Sequence, residues 1–181
     1  EAEADPGLKA ALKKAFEDDM EEIIERFPLR EGATVLHRLP SYERWAIDIL
    51  THGDYDDYWK QRGYAISEYY DQHADVPTLY IGGWYDSYAR NTCESYIALS
   101  GSKKEPQRLL MGPWVHGKWD QPFAGDAYFG TESHVDYNDL RLAWFDCYLK
   151  GMRTQAADWP PVRIFVMGTG DGSRAVLGAP G

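Results

Sequence analysis

Asp86 and His116 are the two side chains whose types and settings could together do acid–base chemistry. Asp86 stands in VPTLYIGGWYDSYARNTCESYIALS, residues 76–100, where an apolar run passes through a glycine pair into a helical pattern. A βα corner at the carboxyl end of a strand exposes a side chain on a backbone that the strand holds fixed. His116 comes thirty positions later in RLLMGPWVHGKWD, just past a second apolar run and a turn opened by Gly112 and Pro113. Adjacent parallel strands end on one edge of a sheet, so the two corners can lie within side-chain reach. An acid and then a histidine, each after a parallel strand, are the second and third parts of a Ser, Asp, His order. The pairing has a chemical reason. A neutral imidazole must keep one nitrogen free to take a proton from a nucleophile. A carboxylate that accepts from the other nitrogen fixes that tautomer and steadies the imidazolium that forms.

Each residue alone has a structural alternative. Asp86 could cap the helix that follows it, and His116 could be a hydrogen-bonded structural histidine. Their order on successive strands, inside two tryptophan-glycine stretches, favours acid and base. Trp84, Tyr85 and Trp114 flank the pair and are expected as pocket walls, with packing that excludes water as the first role of the tryptophans. His37, His52, His73 and His134 are expected at the surface or in the helical layer, and Asp54, Asp56 and Asp57 in a solvated turn. A metal reading of Asp86, His116, Asp120 and His134 lacks the close helical ligand pairing common in catalytic zinc sites.

These corners need a parallel sheet beneath them. PTLYIGGW, SYARNTCESYIAL and QRLLMGPW give strand, helix, strand: a βαβ unit and an α/β fold class. Ahead of it, Leu8, Leu12, Phe16, Met20, Ile23, Ile24 and Phe27 mark one amphipathic helix stopped by Pro28. SYERWAIDILTHG, DYDDYWKQRG and AISEYYDQHA follow as three short helices of a small covering layer. Its tyrosines are expected to pack with their hydroxyls satisfied. Behind the sheet, residues 136–150 form a helix with Leu140, Ala143, Trp144, Cys147 and Tyr148 on one face. Leu142, Phe145 and Leu149 occupy another face, a pattern that predicts burial on both. DWPPVRIFVMGTGDG then brings a proline pair and a strand that is expected to start a different domain.

Composition excludes some partners. The 181 residues carry a formal net charge of −10 and have no Lys/Arg run, which disfavours a nucleic-acid backbone or an anionic membrane surface. No apolar run is long enough to cross a bilayer. Cys93 and Cys147 have no metal-ligand spacing and are equally compatible with two thiols or one disulfide. The opening EAEADPG has no initiator Met and looks like the interior of a longer chain or an appended scar.

GWYD followed by GPWVHG, with the later YNDLRLAWFDCYLKG helix and PVRIFVMG strand, resembles the cocaine esterase / X-prolyl dipeptidyl aminopeptidase group of α/β-hydrolases. That group also holds glutaryl acylases and α-amino acid ester hydrolases. The resemblance implies a helical cap segment over residues 1–75 and the carboxyl-terminal strands and helices of the hydrolase domain over residues 76–158. It places the start of a β-sandwich (jelly-roll) domain at residues 159–181. Asp86 matches the triad acid and His116 the base. The implied function is a serine hydrolase cleaving an acyl ester, an acylamide or an X-Pro dipeptidyl substrate through an acyl-enzyme, without cofactor or metal.

The nucleophile is missing. No Ser stands in G-x-S-x-G, since Ser87, Ser100, Ser102 and Ser173 each lack at least one glycine. In the family the elbow Ser and the oxyanion-stabilising Tyr lie upstream of the cap, so the chain resembles a carboxyl-terminal fragment that is inactive alone. A reading from another class is a carbohydrate-binding or docking module, because seven Trp and thirteen Tyr could build stacking platforms. Exposure discriminates the two: a row of solvent-facing Trp favours binding, whereas Trp84 and Trp114 buried around a cleft floor favour the hydrolase.

Overall fold

The computed structural model of the protein describes residues 4–168. The chain divides into two compact units, Glu1–Ala65 and Ile66–Gly181.

The first unit is helical. Helix α1 (Pro6–Glu17) starts at Asp5, whose carboxylate accepts from the amides of Gly7 and Leu8 at 2.9 and 3.0 Å. The amphipathic stripe continues into α2 (Met20–Glu25), but the two are separate helices rather than the single one expected. Two aspartates stand at the break: the Asp18 amide closes α1 on the Lys14 carbonyl at 2.8 Å, and the Asp19 carboxylate receives the Lys14 ammonium. Helix α3 (Pro40–Thr51) opens on a proline at its first position, where no amide partner is needed. It buries Glu43, whose carboxylate accepts the Gly32 amide at 2.8 Å.

DYDDYWKQRG is not the short helix expected but a run of turns. Asp56 takes the Tyr58 amide at 2.9 Å and the His52 ring at 2.6 Å, so its side chain competes with a helical ladder. Burial is modest there, yet the Tyr64 hydroxyl holds the Tyr58 phenol up to about 12.

The second unit carries the sheet. After a 3-10 stretch at Ile66–Gln72, the order is β1 (Thr78–Tyr85), α4 (Ala89–Ser102) and β2 (Gln107–Val115). A small hairpin, β3 (Phe123–Ala124) and β4 (Ala127–Tyr128), precedes α5 (Tyr137–Lys150) and β5 (Val162–Ile164). The α/β expectation holds: β1 and β2 pair in parallel, in the sheet order β1-β2-β5. Leu110, Trp114 and Leu140 form the packed core against Leu79, Ile81 and Trp159. Cys93 and Cys147 are free, half-buried thiols. Among the described residues no helix is long and apolar enough to cross a membrane.

Two expectations change here. Val162–Ile164 does not start a separate sheet: it lies parallel to β2, with Leu109 opposite Val162 and Met111 opposite Ile164. The proline pair does not stop this, because a proline lacks a donor but keeps its carbonyl, and the Pro161 oxygen accepts the Leu109 amide at 2.9 Å. The rest of the jelly-roll expectation, beyond residue 168, lies outside the described residues. Helix α5 is buried on one face only. Leu140 and Trp144 are buried, whereas Leu142, Phe145 and Leu149 are 58%, 50% and 78% exposed.

Candidate active site

Strand β1 enters its corner through two glycines that allow close approach. A methyl on Gly82 would lie 2.7 Å from the Met111 sulfur, and one on Gly83 would overlap the Trp114 carbonyl. Register explains the second contact. Residues pair one for one from Thr78 and Gln107 to Gly83 and Gly112, and the next pair is Tyr85 with Val115. Strand β2 therefore spends one more residue than β1 over Gly112–Pro113–Trp114, a bulge of the kind that re-aims side chains beside functional sites. Proline at its centre was the signal in the sequence, since proline inside a strand marks a bulge or an edge.

Beyond the bulge the two corners meet. The Asp86 carboxylate accepts the Tyr88 amide on Oδ1 at 2.8 Å and the His116 Nδ1–H on Oδ2 at 3.0 Å. The carboxylate thus closes the turn and bonds the histidine at once, but it does not cap the helix, the structural alternative open to it in the sequence. Helix α4 has Tyr88, not Asp86, as its N-cap residue. Donation from Nδ1 selects the tautomer whose Nε2 keeps a free lone pair. The Asp86 side chain is 5% exposed and that of His116 is 67% exposed, so the carboxylate is buried and the imidazole faces solvent. The Tyr88 ring stands 5.2 Å from the imidazole, a neighbour the sequence reading passed over although it lies two residues from Asp86.

The expected pocket walls separate. Trp114 is a core residue at 2% exposure, with its indole N–H donating to the Ser133 carbonyl at 2.8 Å. Trp84 and Tyr85 are exposed; Trp84 donates to the Phe165 carbonyl at 2.8 Å, and Tyr85 packs on Phe129. The discriminator between stacking row and cleft floor is therefore split, with one tryptophan on each side. Asp120 and His134 line a hollow of about 410 Å³ with Gly117, Trp119, Asp136 and Tyr137. Among the described residues, no three of His, Cys, Asp and Glu stand close enough to share a cation.

Of the serines considered as nucleophiles, Ser100 and Ser102 donate to carbonyls of their own helix, and Ser173 lies outside the described residues. His37 and His73 are bonded to backbone carbonyls, and His52 stacks on Tyr58.

Residues 3–118, which include both corners, match the model of the X-Pro dipeptidyl-peptidase (S15) family. The chain belongs to this family. It is also 30% identical over 145 residues to the cocaine esterase of Rhodococcus sp. (strain MB1 Bresler). That match covers 78% of this chain and 24% of the esterase, so the chain spans about a quarter of the length of the curated relative it matches. As a member of the S15 family, the chain falls within the cocaine esterase / X-prolyl dipeptidyl aminopeptidase group indicated by GWYD and GPWVHG.

Proposed function

We propose that the protein is a serine hydrolase in which Asp86 and His116 are the acid and base of the catalytic triad and the nucleophilic serine lies outside this chain. The observation that carries the reading is the 3.0 Å bond from His116 Nδ1 to Asp86 Oδ2, at the ends of adjacent parallel strands. Nε2 of His116 takes the proton from the serine hydroxyl as its oxygen attacks the carbonyl carbon. The imidazolium, steadied by Asp86, then returns that proton to the departing alkoxide or amine. Water, deprotonated by the same nitrogen, cleaves the acyl-enzyme and releases the acid. Substrates are acyl esters, acylamides or X-Pro peptides, and residues 1–75 belong to the cap segment of this enzyme. Neither Asp86 nor His116 requires a metal, so turnover is insensitive to chelators.

The test uses the full-length protein with a chromogenic acyl ester and a serine-directed fluorophosphonate. His116→Ala abolishes both turnover and labelling. Asp86→Asn keeps the fold but lowers kcat by about 10⁴, because the amide favours the wrong tautomer. Near wild-type turnover by His116→Ala would end the assignment. The binding-module reading keeps only Trp84 of its two diagnostic tryptophans at the surface.

A further inference from the structure

The bulge that brings the two corners together also weakens the backbone that holds them. Up to Gly83 and Gly112 the ladder is regular; past them a single pair, Tyr85 with Val115, remains before Asp86 and His116 leave the sheet. Pro113 contributes no donor there. A pair that must move a proton needs its atoms held within about 0.5 Å of the working geometry. One strand pair at the end of a β-ladder is a poor anchor for that.

Trp84 stands opposite the bulge. Its indole N–H passes over β2, the middle strand, and donates at 2.8 Å to the carbonyl of Phe165, just beyond β5. The acceptor is itself held: the Phe165 amide donates to the Met111 carbonyl at 2.8 Å, and its ring meets Phe129 edge to face at 5.8 Å. Phe129 in turn lies 5.8 Å from the Tyr85 ring. Trp84, Phe165, Phe129 and Tyr85 thus close a circuit that begins and ends on the last two residues of β1. At 39% exposure, Trp84 is placed less for burial than for the direction of its N–H.

We propose that Trp84 is a positioning residue for the Asp86–His116 pair, bracing the carboxyl end of β1 against β5 through the Phe165 carbonyl. The proposal rests on the acid–base reading above. It assigns Trp84 no contact with substrate, so its loss acts on kcat and leaves KM alone.

The experiment compares three variants of the full-length protein by steady-state hydrolysis of a chromogenic ester, with an unfolding midpoint for each. Trp84→Phe keeps a flat ring and removes the donor. Trp84→His restores a donor, since its Nε2 is as many bonds from Cβ as the indole nitrogen and the carbonyl selects the Nε2–H tautomer. The brace predicts that kcat falls about tenfold in Trp84→Phe with KM within about twofold, and that Trp84→His recovers most of the loss. If Trp84→Phe does not fold, Trp84→Leu replaces it as the variant without a donor and is read against Trp84→His by the same criteria. Wild-type kcat in Trp84→Phe, or equal losses in the two variants, overturns it. His116→Ala separates the two readings: if it is inactive while Trp84→Phe is normal, only the brace fails, and if it is active, the acid–base assignment and the brace fail together.

Discussion

Replacing Gly83 by alanine tests whether the bulge is obligatory. The added methyl would overlap the Trp114 carbonyl oxygen and lie 2.7 Å from its carbonyl carbon and 3.2 Å from its Cα. All three atoms are backbone, so no rotamer change relieves the clash. Trp114 cannot retreat freely, because its side chain is buried and its indole N–H is bonded to Ser133. Overpacking typically costs about 1–3 kcal/mol, and a backbone clash belongs at the top of that range, about 3 kcal/mol. With a urea m-value of about 2 kcal/mol/M, the midpoint should fall by about 1.5 M. Tryptophan fluorescence is a suitable readout, since Trp84, Trp114, Trp119, Trp144 and Trp159 all lie in the second unit. Gly101→Ala is the control: it lies in α4 with nothing within 4 Å of the added methyl, so it should gain about 1 kcal/mol from helix propensity. A Gly83→Ala midpoint within about 0.3 M of wild type would show that the bulge relaxes easily, and the account of how the corners are aligned would be wrong.

Other perturbations read other parts of the molecule. Tyr64→Phe removes the hydroxyl that holds the Tyr58 phenol up to about 12, so one tyrosine should move to lower pH in an ultraviolet titration; an unchanged titration would refute the pairing. Asp136→Ala removes the cap that accepts the Asn138 and Asp139 amides at 2.9 and 3.0 Å, and should cost about 1 kcal/mol in thermal or urea unfolding. The Asp75 carboxyl is held below its ordinary 3.8, first by the Glu105 amide and then by that of Lys104. Because the folded value is depressed, its contribution is complete above 3.8 and lost as pH falls through the lowered value. Asp75→Asn should therefore be less stable than wild type at neutral pH, with the gap closing in strong acid. A gap that persists at about pH 2 would point to another cause.

The parts legible in the sequence are those that local pattern decides. Strands β1 and β2 announced themselves by short apolar runs bounded by glycine, and α4 by what separates them. Two corners on one edge followed from the handedness and order of a βαβ unit. Elements decided by side-chain competition or by distant partners were harder to read. A continuous apolar stripe is split where the Asp18 amide closes α1 on the Lys14 carbonyl and the Asp19 carboxylate takes the Lys14 ammonium. Asp56 keeps the tyrosine-rich stretch in turns by taking the Tyr58 amide on its side chain. The three residues of β5 were misassigned because the proline pair looked like a boundary, whereas the Pro161 carbonyl joins the ladder. Helix α5 looked buried twice because composition records apolar faces without saying which of them the chain covers.

The two hydrogen bonds at the sheet edge differ in the length of chain they close. His116 to Asp86 spans 30 residues, and Trp84 to Phe165 spans 81. The longer closure costs about 0.9 kcal/mol more in chain entropy and must wait until β5 has been made. During synthesis Asp86 and His116 can meet once the second strand has emerged, before β5 is made. The tie from Trp84 arrives later, so these contacts have a natural order of assembly: the pair forms first, and its alignment is fixed only when the third strand docks.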